Sequence, residues 1–168
     1  IIGALAPNLH LHGTYFIVGH FHYVMFGGAG FSILAGLHYW FPKITGRLYS
    51  EKYAKIGWLN LFIGFNLLYF SMFILGFQGM PRRYFDYPPE YFANHVASTV
   101  GSWFLAVGLV IIFANLIRSV FKGPKAPANP WGGRTLEWTV ASPPPHENFE
   151  QLPVVERGPY PYDEEAVR

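Results

Sequence analysis

Three stretches of the chain, about 14–40, 56–77 and 97–117, contain no Lys, Arg, Asp or Glu. Apolar residues occupy all sides of each stretch rather than one stripe, whereas a helix on a soluble protein needs a polar face. Each reaches the roughly 20 residues that cross a bilayer core of ~30 Å. The pattern therefore predicts three transmembrane helices, with three buried helices of a soluble core as the weaker reading. Gly27, Gly28, Gly30 and Gly36 fall inside the first stretch, and glycines are common where membrane helices pack closely.

Beyond about Gly123 the pattern breaks. Pro124, Pro127, Pro130 and the run Pro143-Pro144-Pro145 prevent a helix. Trp131, Trp138, Phe149, Tyr160 and Tyr162 are scattered through this tail. Three parts are thus expected: an outer-side segment 1–13, a three-helix membrane part 14–122, and an extended Pro-rich tail 123–168. The aromatic residues suggest that the tail lies along a partner surface, with disorder the alternative beyond Pro153.

Charge orients the spans. Lys43, Arg47, Lys52 and Lys55 follow the first span, and Arg118, Lys122 and Lys125 follow the third. Only Arg82 and Arg83 lie between the second and third. Because Lys and Arg stay on the inner side, loop 41–55 and the tail are expected inside, with the first residues and loop 78–96 outside. Composition narrows the chemistry further. Charged residues make up 13% of the 168 residues, against about 25% in soluble domains. Net charge is only +2, which gives no field for nucleic acid. The chain has no cysteine, so a disulfide scaffold, a Cys-type zinc site and a thiol nucleophile are excluded. It begins at Ile1 without a basic and apolar leader, which reads as a fragment lacking its upstream part.

His20 and His22 lie within the first span, where an ionisable side chain is costly and points to function. At about 100° per residue the two differ by ~200° and face opposite sides of a helix. They cannot share one metal ion, but each can serve a separate cofactor, and imidazole is a usual haem ligand. For a single histidine, a hydrogen bond to a neighbouring helix would be an equal reading. His20 lies ~9 Å and His22 ~12 Å inside the outer end. His38 is ~27 Å from His20 along a straight helix, and His95 falls outside the third apolar stretch, so the chain cannot complete a six-coordinate haem alone. Outside the membrane, His10 and His12 precede the first span. Arg82 and Arg83 suit carboxylates through bidentate pairing, or anchor the chain at the interface.

The stretch His12-Gly13-Thr14-Tyr15-Phe16-Ile17-Val18-Gly19-His20-Phe21-His22-Tyr23 resembles subunit I of the haem–copper cytochrome c oxidases. So do Tyr39-Trp40-Phe41-Pro42, Gly79-Met80-Pro81-Arg82-Arg83-Tyr84, and the tail motifs Asn129-Pro130-Trp131, Leu136-Glu137-Trp138 and Pro143-Pro144-Pro145. The resemblance covers essentially the whole chain. It implies an all-α integral membrane fold, with these three helices the last of a twelve-helix bundle. It implies that His20 ligates the high-spin haem facing copper and His22 the low-spin haem, with Phe21 between them. By the same resemblance Arg82 and Arg83 hold haem propionates, and His12 ligates a magnesium or manganese ion. The implied cofactors are two a-type haems and copper, the copper ligands lying upstream. The implied partners are the remainder of subunit I, subunit II with its electron-entry copper, subunit III, cytochrome c and membrane lipid. The implied activity is reduction of dioxygen to water with electrons from cytochrome c, coupled to proton translocation; the Pro-rich tail and the altered residues 8 and 13 favour a bacterial cell membrane over a mitochondrial one. A nitric-oxide reductase with non-haem iron, or a membrane cytochrome that only relays electrons, are the alternatives. The family generally has Asp where Asn8 and Gly13 stand, and their loss weakens a site for a hard cation.

Overall fold

The computed structural model describes residues 2–149 and 151–154, so Tyr160 and Tyr162 lie outside the described residues. Every regular element among the described residues is helical. Helix α1 spans Leu5–Leu11 and α2 spans Tyr15–His22. A π-helix over Tyr23–Gly30 leads into α3, Phe31–Thr45. Helices α4, Glu51–Phe77, and α5, Phe92–Lys122, follow. Three helical stretches, Tyr15–Thr45, Glu51–Phe77 and Pro89–Lys122, are long and apolar enough to cross a membrane. The chain is an integral membrane protein. The helices run past the apolar stretches because Lys43, Glu51, Lys52, Lys55, Arg118 and Lys122 occupy end turns, outside the charge-free middle. His95 accordingly lies inside α5.

Two compact units arise from these elements. The first comprises residues 1–34 and 51–115. Its α4–α5 contact is built on glycine. Gly57 and Gly64 of α4 and Gly101 and Gly108 of α5 each recur after seven residues, which keeps each pair on one helix face. A Cβ on Gly64 would meet the backbone of Leu105, one on Gly101 that of Leu68, and one on Gly108 would lie 2.5 Å from the Leu61 nitrogen. Leu61 and Ile112 fill the seam and are buried. In the first span only Gly19 and Gly27 meet α4; Gly28 has open space and Gly30 faces its own Phe26. Close packing through glycine thus forms the α4–α5 seam, and Gly19 and Gly76 bring the first span against α4.

The π-helix departs from the uniform α-helix assumed for the first span. It holds Gly27, Gly28 and Gly30, whose missing side chains ease a wider turn. The straight-helix distance from His20 to His38 does not apply across it. The ~200° between His20 and His22 survives, because both lie upstream in α2.

At the end of this unit where α2 begins, the chain is tied to the loop after α4. The Tyr15 amide donates to the Met80 carbonyl at 3.0 Å, and the Arg82 amide donates to the Gly13 carbonyl at 3.0 Å. Thr14 bridges Pro81.

The second unit comprises residues 35–50 and 116–168. Here the end of α3 and the loop after it meet the tail. The Leu48 amide donates to Pro124 at 2.9 Å and the Ala126 amide to Gly46 at 2.9 Å. Both segments expected on the inner side thus come together. Lys43, which the charge count placed in a loop, is 6% exposed within α3. Its ammonium donates to the carbonyls of Ala128, Val140 and Ala141 at 3.0, 2.8 and 3.2 Å. It also lies 5.1 Å from the centre of the Trp138 ring. The Trp131 indole donates to the Tyr39 carbonyl and the Trp138 indole to the Tyr39 hydroxyl, both at 2.8 Å. The described part of the tail has a short 3-10 turn at Leu136–Trp138 and otherwise no regular structure, and it docks on its own chain at Tyr39 and Lys43. Lys43 is the reason, since a buried ammonium needs acceptors and the tail carbonyls supply three.

Glu137 shares this cluster. Hydrogen bonding from Thr135, then from the backbone and Trp40, together with the charge of Lys43, holds its carboxyl below the ordinary 4.5 against a smaller effect of burial. A depressed carboxyl contributes stability above its unfolded value and loses it as pH falls through the folded one. Docking of Trp138 is therefore expected to be constant at neutral pH and to loosen below 4.5. A fluorine label on the Trp138 indole, followed by NMR through an acid titration, checks this. In Glu137→Gln the acid-dependent part of the change should disappear.

Candidate functional site

Helix α2 sits on α4 through one face. Phe16 packs edge-on against Phe73 and Phe77, with ring centres 4.7 and 5.0 Å apart. A Cβ on Gly19 would lie 3.0 Å from the Tyr69 carbonyl oxygen. Tyr23, directly after the end of α2, donates its hydroxyl to Asn66 at 2.9 Å. Residues 16, 19 and 23 mark a stripe at the α-helical spacing. His20 and His22 fall on the two flanks of that stripe, about 70–90° to either side. Phe21 points away from α4, between them, and is 36% exposed.

His22 is held closely. Its Nδ1 lies 2.8 Å from the Val18 carbonyl oxygen. A carbonyl only accepts, so Nδ1 carries the proton and Nε2 keeps its lone pair. That division of roles is the one a metal-binding imidazole adopts. The ring is stacked between Phe21, at 4.4 Å, and Tyr69, at 4.3 Å, so its Nε2 edge has a defined direction. His20 is half-buried. Among the described residues it makes no side-chain hydrogen bond.

On the His22 side lies a cavity of about 450 Å³ lined by Tyr15, Val18, Phe21, Met72, Arg82 and Arg83. Tyr15, Val18 and His22 are spaced three and four apart, on one face of α2. The backbone tie described above brings the arginine loop beside this face. Arg83 adopts φ of 67°, a left-handed backbone that non-glycine residues seldom adopt.

His12 is exposed at the end of α1. Gly13 has φ of 78° with open space around its Cα. Among the described residues no three His, Cys, Asp or Glu side chains gather into a group that could hold a metal ion. A hard cation needs several oxygen ligands, so the described residues around His12 do not by themselves make a magnesium or manganese site. The imidazoles of α2 do fit haem: each has a nitrogen open for iron, and cations stand beside the cavity for carboxylates. Tyr69, Met72 and Tyr15 also belong to this site. Tyr15 was legible as sharing the face of His22, but nothing in the sequence marked Tyr69 or Met72.

The fold and the site define a segment of an integral membrane protein, with one histidine on each flank of a membrane helix. Residues 1–111 match the protein family described as Cytochrome C and Quinol oxidase polypeptide I, and the chain belongs to that family. It is 43% identical to cytochrome c oxidase subunit 1 of Synechocystis, over 100% of this chain and 32% of that protein. It is 46% identical to the subunit 1 of Bacillus sp. strain PS3, over 92% of this chain and 26% of that protein. It is 41% identical to a heme-copper oxidase subunit I+III of Aeropyrum pernix, over 93% of this chain and 19% of that protein. The chain therefore spans a third or less of these relatives. Haem and copper are the cofactors of the family.

Proposed function

We propose that this chain supplies the haem-ligand helix of the catalytic subunit of a terminal respiratory oxidase. The activity is reduction of dioxygen to water with electrons from cytochrome c, coupled to proton translocation. One observation carries the reading: α2 directs two imidazoles to opposite flanks, and the Nε2 of His22 is freed for iron by the Val18 hydrogen bond at 2.8 Å. His20 is assigned to the high-spin haem facing copper and His22 to the low-spin haem. Both haems are assigned as a-type, and Phe21 stands between them. Haem supplies an iron that changes oxidation state and so accepts and donates one electron at a time. The chain's own part is to hold the His22 imidazole in one tautomer and direction, and to cover its two faces with Phe21 and Tyr69. Arg82 and Arg83 are assigned to the propionates, as their place on the cavity supports. The copper ligands belong to the remainder of subunit I, and subunit II with its copper and subunit III complete the complex. The bacterial relatives favour a bacterial cell membrane.

The test is spectroscopy of the purified complex containing this chain. Two haems are expected, one of which binds carbon monoxide, with oxygen uptake driven by reduced cytochrome c. A single class of six-coordinate haem that ignores carbon monoxide would sink the proposal and favour an electron-relay cytochrome.

Arg83→Gln tests the arginine assignment. Loss of a nearby cation raises the proton affinity of a propionate and favours the ferric state. A haem midpoint potential is expected to fall and turnover to slow, with the complex still assembled. Arg83→Lys should rescue only part, because a point charge cannot reproduce the bidentate fork. Full rescue by lysine with both potentials unchanged would make the pair an interfacial anchor.

A further inference from the structure

Beside the arginine loop stands a histidine that the proposed function does not use. His95, in α5, has its Nε2 3.1 Å from the sulfur of Met80. A thioether accepts but never donates, so this contact is a hydrogen bond only if Nε2 carries the proton. The imidazole is fixed on two further sides. Tyr87 stacks on it with ring centres 3.9 Å apart, and Tyr15 meets it edge-on at 5.6 Å. Met80 is 2% exposed. Its amide donates to Leu75 at 3.0 Å, and its carbonyl accepts from Tyr15 at 3.0 Å. Two residues later the Arg82 amide donates to Gly13, and Tyr15, Arg82 and Arg83 line the same cavity.

His95 thus touches both anchors of the loop, the Met80 side chain and the Tyr15 ring. We infer that His95 is a positioning residue: by clamping Met80 against Tyr15 it fixes the loop that presents Arg82 and Arg83 to the cofactor face of α2. An apolar side chain at 95 could fill the space. It could not bond the sulfur, and a thioether side chain with three rotatable bonds has many alternative placements. The loop has reason to need a clamp, since Arg83 holds a left-handed φ of 67° and such a conformation persists only where the surroundings enforce it.

The inference rests on the haem reading for its effect on potential, but the loop can be read without haem. In the intact complex, His95→Leu and Met80→Leu are each expected to speed amide exchange at Tyr15 and Arg82. Each should also lower the low-spin haem midpoint in the direction of Arg83→Gln, by a smaller amount. His95→Gln, which retains an N–H donor, should restore part of both. The double variant His95→Leu/Arg83→Gln should shift no further than Arg83→Gln alone, since residues acting through one element are not additive. If His95→Leu does not assemble, Met80→Leu decides, because it conserves volume and removes only the acceptor. Unchanged exchange at Arg82, or a midpoint shift that adds in full to that of Arg83→Gln, would overturn the role of His95. Faster exchange with no shift in any variant, Arg83→Gln included, would instead remove the arginines from the haem and overturn the reading beneath it.

Discussion

Oxygen reduction is expected to fall to background in His20→Ala, assayed in the complete oxidase complex, while the low-spin haem spectrum persists. The expectation follows from how separately the two imidazoles are held. His22 is fixed by Val18 one turn earlier, at 2.8 Å, and by stacking on Tyr69 at 4.3 Å. None of these contacts involves His20, which lies on the other flank of the α2–α4 stripe. Removing one imidazole should therefore leave the direction of the other unchanged. The reverse variant, His22→Ala, should delete the low-spin signal and starve the oxygen site of electrons without removing its haem. Optical spectra of both variants, with and without carbon monoxide, check the pair. Loss of the low-spin signal alone in His20→Ala would exchange the two assignments.

Gly64→Ala is expected to cost about 3 kcal/mol or more and to lower the yield of assembled complex. Overpacking a core typically costs 1–3 kcal/mol where side chains can give way. Here they cannot, because the new methyl would meet the Leu105 backbone and lie 2.7 Å from the Gly101 carbonyl oxygen. Helices α4 and α5 would have to separate along the whole glycine seam, and the separation would reach α4 residues such as Tyr69 that hold His22. Gly28→Ala serves as the control, since its Cβ would have nothing within 4 Å; it should be tolerated, because alanine is favoured over glycine in a helix by up to about 1 kcal/mol. Thermal unfolding and haem content of the two complexes check the contrast. Equal tolerance of both changes would show that the α4–α5 seam is looser than the structure has it.

The difference between Gly64 and Gly28 illustrates which information is local. Sequence alone shows that both are glycines inside apolar stretches, and it drew attention to those of the first span. Which glycine lies against a neighbouring backbone depends on the crossing of two helices far apart in sequence. Only the folded chain decides that.

Length, hydropathy and the absence of charge determined the three membrane helices, because a bilayer core accepts little else. Helical periodicity determined that His20 and His22 diverge, because that angle is local to α2. Other features needed tertiary contacts. The π-helix after His22 breaks the uniform geometry that periodicity assumes. The tautomer of His22 depends on rotation of its ring toward Val18, and its stacking on Tyr69 joins residues 47 positions apart. Lys43 looked like a loop charge until the tail carbonyls were seen around it. The arginines stand beside the cavity because backbone hydrogen bonds tie residues 13–15 to 80–82, and no residue type encodes such a tie. The sequence by itself determined which side chains could carry the chemistry. The tertiary structure decided what surrounds each of them, because those surroundings are made of residues brought together only when the helices pack.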